Sequence, residues 1–208
     1  MNIITIDGHA GAGKGTVAKR VAQILGLQPL DTGMYYRILA FVSKDGTVDF
    51  SRITIENRTL LVDGDHIQQE MIRTHEIGKI ASQIAKEPHV RKKVTELIHA
   101  TIPTEGLVAD GRDTGTALFP KARHKFFLTA SAEVRARRIL DDTNRPQTHT
   151  DLEALLQEVR ERDHHDETRE HSPLIQAEDA IKIDSTDLSI EEVVEIITGH
   201  WHARLRKN

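Results

Sequence analysis

The 208-residue chain contains no cysteine, which removes disulfides, thiolate metal sites and cysteine nucleophiles and fits a cytoplasmic setting. No run approaches the roughly 18 apolar residues that a membrane-spanning helix needs. Met1-Asn2-Ile3 leads into a strand pattern rather than a charged leader, so a soluble, unprocessed protein without a membrane partner is expected. Neither sign of charge dominates: 28 basic and 32 acidic residues leave a formal charge of −4. That balance provides no footprint for nucleic acid or for an anionic membrane, so any anion site must be local. Internal repeats and low-complexity tracts are also absent. The 12 histidines are scattered, with no helical pair at ligand spacing beside a supporting carboxylate, and no histidine metal site is expected. With 38% hydrophobic residues, the chain can bury one substantial core and carry a small insertion, but not two large domains.

What the chain does have is a glycine-rich run directly after the strand pattern Asn2-Ile3-Ile4-Thr5-Ile6-Asp7. It reads Gly8-His9-Ala10-Gly11-Ala12-Gly13-Lys14-Gly15-Thr16. Glycines let successive backbone N–H groups converge on one anion, and Lys14 adds a positive charge for the outer phosphates of a nucleotide. Apolar Val17, Val21 and Leu25 then follow at near-helical spacing, so the loop opens a helix whose N-terminal dipole also favours phosphate. Strand, loop and helix together point to binding of ATP or another nucleoside triphosphate by Gly8 through Thr16. A hydroxyl commonly follows the lysine directly, but here Gly15 intervenes before Thr16. A nucleoside triphosphate ordinarily arrives with Mg2+, for which no protein ligand is assigned; Thr16 or Asp110 could reach it through water, and a capping role suits Asp110 equally.

Short, near-continuous apolar segments at Ile3–Ile6, Leu107–Ala109, Lys125–Thr129 and Ala180–Ile183 read as strands of a parallel sheet covered on both faces. Helical patterns lie between them, at Thr16–Leu25, Ile77–Ile102, Ala132–Asp141, Asp151–Arg169 and Ile190–Ala203. The expected fold is α/β, a P-loop core whose parallel sheet is flanked by helices. Thr47–Ile67 alternates and carries turn signals at Asn57-Arg58 and Asp63-Gly64-Asp65, so a small antiparallel insertion is expected there. The polar, proline-broken stretch Asp141–Thr150 suits either a lid or an ordinary surface loop.

In Asp151–Arg169 the stripe Leu152, Leu155, Leu156, Val159 turns charged as it continues, because Asp166 falls in the same arc and Arg162 and Arg169 lie along its edge. One reading is a helix that leaves the core and runs along a cleft. The other is an exposed i, i+4 ion pair between Arg162 and Asp166. Arg37, Arg91, Arg112, Arg135 and Arg138 are further candidates to converge on one polyanion site, since guanidinium groups bind phosphate oxygens bidentately.

Taken in order, the motifs are Gly8–Thr16, Asp31-Thr32-Gly33 with Tyr36-Arg37, Ile72-Arg73-Thr74, Ser82 with Pro88 and Val90-Arg91, Asp110-Gly111-Arg112-Asp113 with Gly115-Thr116, Arg162-Asp163 with Asp166 and Arg169, and Asp184-Ser185-Thr186. Over nearly its whole length the chain resembles the bacterial cytidylate kinases of the nucleoside monophosphate kinase group. The resemblance implies transfer of the γ-phosphoryl group of ATP, with Mg2+, to CMP or dCMP by a cytoplasmic monomer. It implies that Arg37, Arg112 and Arg169 hold the acceptor phosphate, that Ser82, Arg91 and Asp113 read cytosine, and that Arg162 and Asp166 contact the sugar, with Thr32 also in the acceptor site. Lys14, Arg112, Arg162 and Arg169 would form the catalytic set. An aspartate at position 113 also suits a helix or turn cap. The implied division places the P-loop core in 1–37 and 96–208, with a lid around 141–170, and the acceptor-binding insertion in 38–95. His9 departs from the family's usual proline, Met34-Tyr35 from a small and an apolar residue, Ile98-His99 from a glutamine-arginine pair, and His165 from an arginine.

Two other readings stay open. Another small phosphotransferase could share the loop, and a nucleotide-dependent switch could bind without transfer, although the Asn-Lys-x-Asp guanine signature of switch GTPases is absent.

Overall fold

The computed structural model describes residues 2–142 and 151–205. The chain begins with β1 (Asn2–Gly8), α1 (Lys14–Leu25), β2 (Gln28–Asp31) and α2 (Thr32–Phe41). Two hairpins follow, β3 (Ser43–Lys44) with β4 (Thr47–Val48) and β5 (Ile53–Glu56) with β6 (Thr59–Val62). Then come α3 (Gln69–Ile72), α4 (His75–Ile84), α5 (Pro88–Thr101), β7 (Gly106–Gly111), β8 (His124–Thr129), α6 (Ala132–Leu140), α7 (Leu152–Thr168), β9 (Ile181–Asp184) and α8 (Ile190–Leu205).

Five strands form one parallel sheet in the order β2-β7-β1-β8-β9. The buried run Ile4–Gly8 sets β1 at its centre, with Ile4 opposite Val108 on one side and Ile6 opposite Phe126 on the other. Val17, Val21 and Ala22 of α1 and Val193, Ile197 and Trp201 of α8 join Ile4, Ile6, Val108, Phe126 and Leu128 in the main core. A second cluster, Ala136, Leu155 and Val159, holds α6 and α7 together.

The apolar runs read from sequence are the four inner and outer strands of this sheet, but β2 was not among them. Gln28-Pro29-Leu30-Asp31 has no apolar run to mark it, and its proline is tolerated because β2 lies at the sheet edge. The single helix expected over Ile77–Ile102 is two, α4 and α5, parted at 85–87 where Pro88 takes the first helical position. The antiparallel insertion is present, and its β5–β6 turn places both Asn57 and Arg58 at positive φ.

Two compact units divide the described residues, one of 2–31, 104–142 and 151–205 and the other of 32–103. The first holds the parallel sheet. The second packs α2 with α4 and α5. Of the expected lid, 143–150 lies outside the described residues.

Candidate active site

At the carboxyl end of β1 the chain turns through Gly8–Gly13 into α1. Gly8 has φ +147°, and a Cβ there would lie 1.9 Å from the Leu128 carbonyl oxygen, so only glycine fits. Gly13, at φ +92°, then swings the backbone into the helix. The Lys14 side chain is buried, and its Nζ donates to the His9 carbonyl oxygen at 2.6 Å. Burial, together with the Arg112 and Arg162 charges, holds the Lys14 ammonium well below the usual lysine range, while Asp110 and Asp166 act the other way. Cations crowded this way favour an incoming polyanion.

The loop is braced from behind. Arg135 of α6, almost wholly buried, donates to Ala10 O at 3.2 Å and Ala130 O at 2.9 Å, and pairs through two nitrogens with Asp163 of α7 at 3.0 and 2.5 Å. Arg138 donates to Ser185 Oγ at 3.0 Å and to the Ser185 carbonyl oxygen at 2.6 Å. Asp184 closes a turn onto Thr186, whose hydroxyl accepts from Ser131 N at 3.0 Å. His9 Nε2 bonds Glu167 Oε1 of α7 at 2.8 Å, its ring edge-on to Phe127.

The end of β7 supplies the second wall. Asp110 is pushed up to about 7, chiefly by burial and by Asp31, against the opposing charges of Lys14, Arg112 and Lys19. Arg112 Nε donates to Asp166 Oδ2 at 2.7 Å. Asp166 is buried, and although burial works to raise its pKa, Arg112, Arg162 and Arg169 hold the carboxyl below the usual carboxylate range. Its burial and its bond to Arg112 exclude the exposed i, i+4 reading; the charged arc of α7 faces inward. Arg169 Nη2 lies 3.8 Å from Asp113 Oδ1, and Nη1 lies 3.9 Å from Asp166 Oδ1. Asp113 occupies the N-cap position of the wide helical turn Thr114–Leu118 yet makes no side-chain cap bond, so the capping alternative does not hold.

Lys14, Arg112, Asp113, Arg162, Asp166 and Arg169 thus belong to the first unit, together with Gly8–Thr16 and Asp110. Arg135 and Arg138, expected as candidate phosphate binders, are committed instead to backbone oxygens, Asp163 and Ser185. Thr32, Arg37, Ser82 and Arg91 belong to the second unit. There Arg37 donates to the carbonyl oxygens of Ile72 at 2.8 Å and Thr74 at 3.1 Å, and Thr32 is buried at the start of α2. Arg91 donates to Ala85 O at 3.1 Å with its guanidinium 5.6 Å from the Tyr36 ring centre, and Ser82 is half-buried on α4. Sequence reasoning missed Asp7, Glu167 and the bracing role of Arg135. Asp7 was legible only as an acidic residue inside an apolar strand.

A phosphate loop at the carboxyl end of a five-stranded parallel sheet, faced by buried guanidinium groups, defines a P-loop nucleotide-binding phosphotransferase. The cytidylate kinase family model matches residues 4–203. The cytidylate kinase of Pseudomonas aeruginosa strain LESB58 is 43% identical over 95% of this chain and 94% of its own length. That of Colwellia psychrerythraea is 42% identical over 98% and 97%. The chain belongs to the cytidylate kinase family. Among solved structures, shikimate kinase from Bacteroides thetaiotaomicron shares the fold alone, with a TM-score of 0.54 at 13% identity over 97% of this chain and 98% of that one.

Proposed function

We propose that the protein transfers the γ-phosphoryl group of ATP to CMP or dCMP, giving ADP and CDP or dCDP, as a monomer in the cytoplasm. The observation that carries this is the Arg112–Asp166–Arg169–Asp113 cluster standing with Lys14 beside the phosphate loop.

Gly8–Thr16 bind the triphosphate, with Lys14 on its outer oxygens. Arg112 and Arg169 hold the acceptor phosphate, and Arg162 with Asp166 contact the sugar. The Asp113 carboxylate accepts from the cytosine 4-amino group, whereas uracil presents a carbonyl there and is repelled. Arg37 on the acceptor phosphate, Ser82 and Arg91 on the base, and Thr32 complete the proposed set. No general base is required, because the acceptor phosphate is already anionic near neutral pH. Catalysis reduces to alignment and charge stabilisation, which Lys14, Arg112, Arg162 and Arg169 supply.

Among the described residues no group of three His, Cys, Asp or Glu could hold a metal by itself. The donor set fits a largely hydrated Mg2+ brought in with the nucleotide: Asp110, a half-buried hard-oxygen donor, or the exposed Thr16 hydroxyl would hold it through water. Bound there, Mg2+ would neutralise charge on the phosphate oxygens.

A coupled assay of ADP release with a panel of monophosphates tests the reading. CMP and dCMP are the expected acceptors; turnover of UMP, AMP or shikimate without turnover of CMP would overturn it.

A further inference from the structure

Asp7 is the penultimate residue of β1, one residue before the phosphate loop, and is buried. Its Oδ1 accepts from Thr114 N and from Thr114 Oγ1, both at 2.8 Å, and its Oδ2 accepts from Gly115 N at 2.7 Å. These are donors of the first turn of Thr114–Leu118, the groups a helical segment leaves without internal partners. An aspartate at the N-cap position ordinarily takes the second of these N–H groups, Gly115 N, through its side chain, but Asp113 makes no such bond, and its carbonyl accepts from Ala117 N at 2.9 Å and Leu118 N at 3.1 Å. The cap therefore comes from a residue 107 positions away in sequence. The turn is also pressed against β1: a Cβ on Gly115 would stand 2.9 Å from Thr5 Oγ1 and 3.3 Å from Asp7 Oδ2. Burial raises the pKa of the Asp7 carboxyl, and the bonds from Gly115 and Thr114 oppose that rise.

We propose that Asp7 is a positioning residue for base discrimination: by capping the Thr114–Leu118 turn it releases the Asp113 carboxylate for the acceptor base and fixes the Arg112–Asp113 segment against β1. The inference rests on the assignment of Asp113 to cytosine. A carboxylate that also served as its own turn's cap would be drawn onto backbone N–H groups and away from the base. Asp7 removes that competition while touching neither nucleotide.

The test uses the full chain with Asp7→Asn and Thr114→Val, measuring kcat and KM for CMP, UMP and ATP alongside thermal unfolding. Asn turns a donor toward the Gly115 N–H, whereas Val deletes only the hydroxyl donor and keeps the shape of Thr114. Asp7→Asn should lower the CMP-to-UMP ratio of kcat/KM about tenfold, and Thr114→Val about threefold, the loss of one buried hydrogen bond or part of one. KM for ATP should stay within about twofold in both. If KM for ATP and CMP rise together, or the unfolding midpoint drops while the ratio holds, Asp7 is only a structural brace and the proposal fails. Should Asp7→Asn not fold, Thr114→Val decides alone. Failure of the unmodified enzyme to prefer CMP would instead overturn the Asp113 assignment itself, whereas loss of preference in Asp113→Ala but not in Asp7→Asn or Thr114→Val would overturn only the Asp7 role.

Discussion

Asp113 and Arg169 come within 3.8 Å of each other from the end of β7 and the residue after α7, and the proposed function gives them separate tasks, base and phosphate. Asp113→Ala should cut the preference for CMP over UMP by about ten- to a hundredfold, the value of one base-reading contact, with ATP binding little changed. Equal losses with every acceptor would count against that role. Arg169→Ala should slow all acceptors alike, by about a hundredfold in kcat/KM, because a phosphate carries no base identity. Asp110 offers a pH readout. Its folded-state pKa of about 7 lies above the unfolded value of 3.8, so the folded protein keeps a proton that the unfolded chain gives up. The contribution to stability is present below 3.8 and is lost as pH rises through about 7. Thermal unfolding across that window should therefore show Asp110→Asn gaining on the unmodified protein as pH rises, and parallel curves would refute the retained proton. The identities of these residues were legible as an ordered set of motifs. Their partners were not: spacing along α7 offered Arg162 to Asp166, while the 2.7 Å bond went to Arg112, 54 residues away.

At the scale of elements, the phosphate loop is held by helices that follow it by more than a hundred residues. Arg135 ties α6 to α7 through Asp163 and to the loop through Ala10 O. Arg135→Ala would remove the bidentate partner of Asp163 and the guanidinium bonds to the Ala10 and Ala130 carbonyl oxygens. A loss of about 3 kcal/mol or more in urea-induced unfolding is expected. Arg135→Lys should rescue only part of it, since an ammonium cannot reproduce the planar fork. An unchanged midpoint for Arg135→Ala would dismiss the brace. α1 and α7 were readable because their apolar residues repeat at helical spacing, and β1, β7 and β8 because their runs are buried on both faces. β2 escaped notice, since four residues with two exposed polar or proline positions at a sheet edge carry no such pattern. The break between α4 and α5 turned on Pro88, which starts a helix as readily as it ends one.

Over the whole molecule, no helix among the described residues is long and apolar enough to cross a membrane, and the sheet is built inside one of two compact units. Its far end, away from the phosphate loop, holds His124 against Trp201 at 4.5 Å between ring centres. Burial, with Arg204, His200 and Arg123, pushes His124 down to about 4 from 6.5. The unfolded chain thus binds a proton that the folded one refuses. Stability from the neutral ring is complete above 6.5 and is lost as pH falls toward 4, opposite in sign to the Asp110 effect over an overlapping range. His124→Phe, which keeps an aromatic ring beside Trp201, should flatten the acid side of the stability profile; an unaltered acid limb would overturn this.

Composition, periodicity and the glycine loop by themselves determined the α/β class and the phosphate cradle, because strand burial, helical repeat and backbone freedom are local properties written in consecutive residues; the kind of chemistry came from the resemblance of the ordered motifs to a family. Tertiary structure alone decided which arginines face the site and which brace it, and that Asp7 rather than Asp113 caps the turn after β7. Those choices depend on which buried donor meets which acceptor across a hundred residues of chain, and no spacing rule reaches that far.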